Sequence, residues 1–169
     1  MEVRSKTEIM DRIAQTIVSP GLTLVAGCGP RHIKQPGEVL CDIRRFPNVE
    51  MVHDLNQVPW PWPDNHFIHV SAVHVVEHLD SLIAFMDEAH RVLKPGGSLY
   101  LETPLAGVNP DLTHADPTHV RCYRIHSFCN YFSPEGVDRF GYTDRSWNFF
   151  VLRVQNDCIV VHAYPLKQS

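Results

Sequence analysis

The sequence contains no C-x-x-C pair. Its five cysteines, Cys28, Cys41, Cys122, Cys129 and Cys158, are scattered and odd in number. Their odd count and scatter predict reduced thiols in a cytoplasmic setting. No run approaches the roughly 18 apolar residues of a membrane helix. Near the N-terminus Glu2, Glu8 and Asp11 stand without a long apolar stretch, so no signal peptide is expected. Positive charge is not in excess: 15 Lys and Arg face 19 Asp and Glu, for a net charge of −4. Neither a nucleic acid nor an anionic membrane is therefore expected as a partner. Repeats, low-complexity tracts and linkers are missing too.

What is present describes one globular domain over residues 1–169. The 169 residues, 44% of them hydrophobic, suffice to bury roughly 70% of the unfolded surface without disulfides. Histidine is abundant, with 11 in all, and His114, His119 and His126 fall close together.

The order of elements alternates. Ile9, Ile13 and Ile17 recur at helical spacing until Pro20-Gly21 stops them. LTLVAG follows as a strand. EVLCD and NVEMVHD are the second and third strands, each ending in an acid, and HFIHVSAV is the fourth. DSLIAFMDEAHRVL is an amphipathic helix. Leu82, Met86 and Leu93 lie on its apolar face, Asp87, Glu88 and Arg91 on the other, with Asp80 as expected N-cap and KPGG as terminator. SLYLETP is the fifth strand. Residues 105–124 show little periodicity, and HSFCNYF reads as a short helix. WNFFVLRVQ and CIVVHAYP flank Asn156-Asp157 as a C-terminal β-hairpin. The alternation predicts an α/β, Rossmann-like fold with a mostly parallel sheet flanked by helices, whose ligands bind beyond the carboxyl ends of the strands.

Those ends carry Gly27-Cys28-Gly29, Asp42, Asp54 and Val73-His74. The run GCGPRH has no third glycine, which disfavours a dinucleotide site and a nicotinamide dehydrogenase. No G-K-[ST] follows, which excludes a Walker phosphate loop. Alone, GCG is equally a tight turn chosen for its glycines. The acids add information. Asp42 stands where one carboxylate can hold two ribose hydroxyls, and Asp54 is within reach of an adenine amino group. A ligand with ribose and adenine but no phosphate, S-adenosylmethionine, fits this set, its amino-acid end lying along Gly27–Gly29.

The motifs LVAGCGP, VLCDI, MVHDLNQVPWPWPDNHF, HVVEHL and HRVLKPGGSLYLETP cover residues 22–104 in order. Together they resemble class I S-adenosylmethionine-dependent methyltransferases of the type 11 group. The resemblance implies an enzyme that moves a methyl group from S-adenosylmethionine to an acceptor. It places Gly27, Cys28, Gly29, Asp42, Ile43, Asp54, Leu55, Val73 and His74 around the cofactor. The chain departs from the pattern at Val25, Arg31 and Ile68, where the group usually carries an acid, a glycine and an aspartate. A non-catalytic S-adenosylmethionine-binding subunit therefore stays open as a second reading.

DPTHVR resembles a segment of some members. In THADPTHVR the residue types of His114, Asp116 and His119 would suit a metal, yet the spacing in a non-helical loop favours an acceptor-binding segment with a general base. His119 and His114 are the base candidates, with Asp116 orienting an imidazole and Arg121 either binding an anionic acceptor or fixing the loop. No metal is expected. His74, Glu77 and His78 are expected to position a helix start and pack beneath the pocket, and Trp60 and Trp62 to form core and pocket wall. With almost nothing appended to the core, the acceptor is expected to be small or peripheral, an oxygen or nitrogen nucleophile, and a homodimer or partner protein is left open.

Overall fold

A computed structural model describes residues 21–167. The expected helix on Ile9, Ile13 and Ile17 lies outside these described residues. Seven strands form one sheet: β1 Thr23–Ala26, β2 Glu38–Asp42, β3 Met51–Val52, β4 Phe67–Val73, β5 Leu93–Pro104, β6 Trp147–Gln155 and β7 Cys158–Pro165. Their spatial order is β3-β2-β1-β4-β5-β7-β6. β1 to β5 run parallel to one another, and β7 inserts antiparallel between β5 and β6. This is the expected α/β class. The hairpin turns at Asn156 and Asp157, which have φ of 50° and 61°. Two left-handed residues match the right-handed twist of the flanking strands, and Asn and Asp tolerate them.

The central strands turn one apolar face into the core and carry Ser71, Tyr100, Glu102 and His162 on the other. Leu24, Ala26, Val70, Ala72, Leu99, Leu101, Val161 and Ala163 are buried in one core. Helix α1, Leu82–Val92, lays Phe85, Met86, Ala89 and Val92 into it. Its N-cap is Ser81 rather than the expected Asp80: the extended backbone of Ser81 brings its hydroxyl to accept from Ala84 N–H at 3.2 Å. The backbone of Asp80 is used elsewhere, its N–H donating to Asn56. The KPGG segment does not follow the helix as a separate turn. Leu93 is already extended, Pro95 disfavours helical Lys94, and β5 begins there, five residues before the expected start. The register against β4 slips between Phe67 and His69 to absorb the two glycines.

Glu88 departs from the amphipathic expectation. It is buried and accepts the Trp60 N–H and the Arg91 guanidinium, which in turn donates to the carbonyls of Trp60 and Trp62. This network backs the Trp60–Trp62 segment, whose indoles pack edge to face on Phe85 and Phe67. Trp60 and Trp62 are core, as expected.

The segment after β5 holds more structure than its sequence suggests. Helix α2, Pro110–His114, starts from an Asn109 cap with proline in its first turn. α3 is His126–Phe132, the expected short helix, and α4, Pro134–Phe140, runs from a Ser133 cap to left-handed Gly141.

Candidate active site

The glycine turn follows β1 directly. Gly27 and Gly29 have φ of 66° and 64°, a region that side chains enter at a cost. A Cβ on Gly27 would stand 2.4 Å from the Val75 side chain, whereas a Cβ on Gly29 would meet nothing within 4 Å. The first glycine is thus required by packing against β4's exit, and the second leaves an open cradle above the strand ends.

Asp42 closes that cradle. Its carboxylate accepts from Gly29 N–H and from Arg44 N–H, both at 2.9 Å, and it is nearly buried. Each oxygen keeps a lone pair for a further donor. Burial, and then the Asp42 charge, push the Cys28 thiol up and Cys41 up to about 12. Both thiols stay protonated and neither is a nucleophile. All five cysteines are free. Asp54 accepts from Asn56 N–H at 2.9 Å, a local turn cap. Leu55 is buried beside it, accepting the Trp60 indole N–H through its carbonyl. Ile43 and Val73 are exposed.

Val75, which packs on Gly27, follows His74, and His74 opens the second half of the site. It has φ of 54°. Its Nδ1 lies 3.1 Å from Glu77 and its Nε2 3.9 Å from Glu102. The Glu77 hydrogen bond, against the opposing effect of burial, holds its imidazole above the usual range. Glu77 is buried and accepts from Thr103 as well.

Beyond His74 lies an open cleft of about 620 Å³, lined by His74, His78, Asp111, Leu112, Asp116 and His119 among others. The segment that carries Asp116 and His119 is docked on the turn after β4. Val120 and Arg121 N–H both donate to the Glu77 carbonyl, and the Arg121 guanidinium donates to the Asp80 carbonyl. Arg121 therefore fixes the loop. His119 Nδ1 is 3.0 Å from the Thr113 carbonyl, and its ring meets His78 edge to face at 4.7 Å. Asp116 caps its own turn through Thr118. His114 stands apart from the cleft lining, with Nδ1 3.9 Å from Cys122 Sγ. Of the three loop residues singled out in the sequence, Asp116 and His119 share the cleft and His114 does not. His78, expected to pack beneath the pocket, lines it instead.

Glu77, His78 and His119 offer ligand atoms within 4.8 Å of one another, as do His74, Glu102 and Cys158. Both Glu77 oxygens already have partners in His74 and Thr103, and the Cys158 thiol is pushed by burial up to about 11, which disfavours the thiolate a metal needs.

Residues 8–140 match the family model described as Methyltransferase domain. The chain belongs to that family, and its cofactor is S-adenosylmethionine. Among curated proteins it is similar to demethylmenaquinone methyltransferase of Chlorobaculum parvum, 39% identical over 67 residues. That match covers 40% of this chain and 27% of the relative. The enzyme of the same name from Chlorobaculum tepidum is 37% identical over 37% of this chain and 25% of its own length. The match thus spans about a quarter of these relatives. Among solved structures, an S-adenosylmethionine-dependent methyltransferase from Aquifex aeolicus superimposes with a TM-score of 0.59 at 16% identity, covering 93% of this chain and 89% of that one. One from Archaeoglobus fulgidus gives 0.57 at 18%, covering 95% and 94%. These agree with the Rossmann-like fold. Among the described residues no helix is long and apolar enough to cross a membrane.

Proposed function

We propose that the chain methylates a small acceptor at an oxygen or nitrogen atom, in the cleft bounded by His74, His78 and His119. One observation carries this reading: the Gly27–Gly29 turn with Asp42, and the histidine-lined cleft, meet at adjacent residues, Val75 against Gly27 and His74 in the cleft wall. The open cradle at Gly29 and the spare lone pairs of Asp42 fit the cofactor, which supplies an activated methyl group when bound. Gly27, Cys28 and Gly29 would hold its amino-acid end and Asp42 its ribose. Ile43, Asp54, Leu55 and Val73 would surround the adenine and sulfur. The protein's remaining task is placement, which can contribute roughly 7–11 kcal/mol, and removal of the acceptor's proton, typically worth about 10²–10⁴-fold. An imidazole of the cleft takes that proton. Of the loop's histidines, His119 is the one that lines the cleft, together with Asp116.

The cleft is open and sets imidazoles and carboxylates beside Leu112, Ala115 and Pro117, which suits a small acceptor that carries its nucleophile on a partly apolar body. The relatives named for demethylmenaquinone share only a quarter of their length with this chain, so their acceptor is not carried over.

The test is S-adenosylhomocysteine formation with a panel of small phenols, catechols, sugars and amines, with and without EDTA. Turnover of a panel member, unaffected by chelator, is expected. His119→Ala should lower kcat/KM with cofactor affinity retained, and His114→Ala should not. Binding of S-adenosylmethionine without any turnover would favour the non-catalytic subunit.

A further inference from the structure

We propose that His78 is the residue that receives the acceptor's proton, and that Asp116 acts on it as a positioning residue through the hydroxyl of Thr118. This rests on the methyltransfer reading above and names the base within the same cleft.

The proton positions follow by elimination. Thr118 Oγ1 lies 2.6 Å from Asp116 Oδ1. The Thr118 hydroxyl and N–H bonds hold the Asp116 carboxyl below its usual range, so it is ionised and can only accept. The single hydroxyl proton of Thr118 therefore points to Asp116. Thr118 Oγ1 is then an acceptor toward His78 Nδ1, at 2.9 Å, and the Thr118 carbonyl, at 3.2 Å from the same nitrogen, is an acceptor too. Nδ1 must carry the ring proton. In the neutral ring, Nε2 is left with the only lone pair, on a side chain that lines the cleft.

The chain carboxylate–hydroxyl–imidazole does what a catalytic acid-base group needs. It fixes the tautomer, fixes the ring, and sets a negative charge behind the imidazolium that forms. His119 has the first of these and also feels the Asp116 charge, but without a hydrogen-bonded link to it. Its Nδ1 faces the neutral Thr113 carbonyl, so its Nε2 can accept a hydrogen bond and hold the acceptor, but no relay leads from it to a carboxylate. The proton leaves the acceptor heteroatom for His78 Nε2, and the heteroatom keeps the electron pair that bonds the methyl carbon. The docking of the loop serves this alignment: Val120 and Arg121 N–H on the Glu77 carbonyl hold Thr118 against His78.

Two measurements test it. The first uses the protein without acceptor. Long-range proton–nitrogen NMR of the imidazoles in neutral buffer should show His78 as the Nδ1–H tautomer. Its Nδ1–H resonance should move and exchange faster in Thr118→Val and in Asp116→Asn, while that of His119 stays in place. An Nε2–H tautomer at His78, or a His78 signal indifferent to both variants, overturns the relay. The second uses whichever panel compound is turned over. His78→Ala should lower kcat by about 10²-fold or more, and Asp116→Asn should lower kcat and displace the pH profile with little change in KM. His119→Ala should act mainly on KM. Wild-type kcat in His78→Ala overturns the assignment. If no panel member reacts, the methyltransfer reading is what fails, and the NMR result still decides the relay.

Discussion

The Gly29 N–H donates to the Asp42 carboxylate across 2.9 Å, and so joins the turn after β1 to the acid that ends β2. In the sequence these are two separate contacts to one ligand. In the structure they are one unit, because the acid that would hold a ribose also sets the backbone of the turn beside it.

The two glycines of that turn should fail differently. Gly27→Ala places a Cβ 2.4 Å from Val75 in a left-handed backbone, and should lower the melting temperature as well as cofactor binding. Gly29→Val meets no protein atom within 4 Å and loses only backbone ease, about 1–2 kcal/mol. It should stay folded, with a native circular dichroism spectrum, and lose S-adenosylmethionine binding. Unchanged binding in Gly29→Val would remove the turn from the site.

Acid should destabilise the fold before the carboxylates titrate. Burial pushes His69 and His90 down to about 4, while in the unfolded chain histidine titrates near 6.5. Between those values the unfolded state binds more protons, so stability falls as pH drops through that window. His74 has the opposite sign: its raised value adds stability that is present below pH ~6.5 and lost as pH rises through the folded value. The melting temperature should drop from pH 6.5 to 4.5, and less steeply in His90→Phe, whose ring can keep the edge-to-face contact with Trp147. A flat profile in the wild type would contradict the burial of these rings.

Arg91 should matter for stability out of proportion to its place on a helix surface. Removing it leaves the buried Glu88 carboxylate with only the Trp60 N–H, a loss of about 3 kcal/mol. Chemical denaturation of Arg91→Ala measures it. Arg91→Lys should recover part, since an ammonium cannot reach two carbonyls and a carboxylate at once as the guanidinium fork does.

How much of this was legible follows the range of the interactions. The strands, α1, the hairpin turn and Asp42 at the end of β2 are set by local pattern and were legible in it, whereas β3 shrinks to two paired residues and leaves Asp54 in the turn beyond it. α2 and α4 carried signals that are plain afterwards, an Asn or Ser cap followed by proline. Glu88 looked like a surface acid because its partners, Trp60 and Arg91, are recruited by tertiary packing. His78 looked like a helix-start residue for the same reason: its partner Thr118 is 40 residues away, brought there by backbone bonds to Glu77 that no side-chain pattern encodes.

The central claim is that the strand-end site around Asp42 holds S-adenosylmethionine, and calorimetric titration of the wild type and Asp42→Ala tests it most directly. Hydrogen bonds to a charged group are worth about 1.5–3 kcal/mol, so the variant should bind roughly 10- to 150-fold more weakly while the wild type shows no binding of NADH. Equal affinities of the two proteins for S-adenosylmethionine, or binding of NADH in its place, would contradict the account.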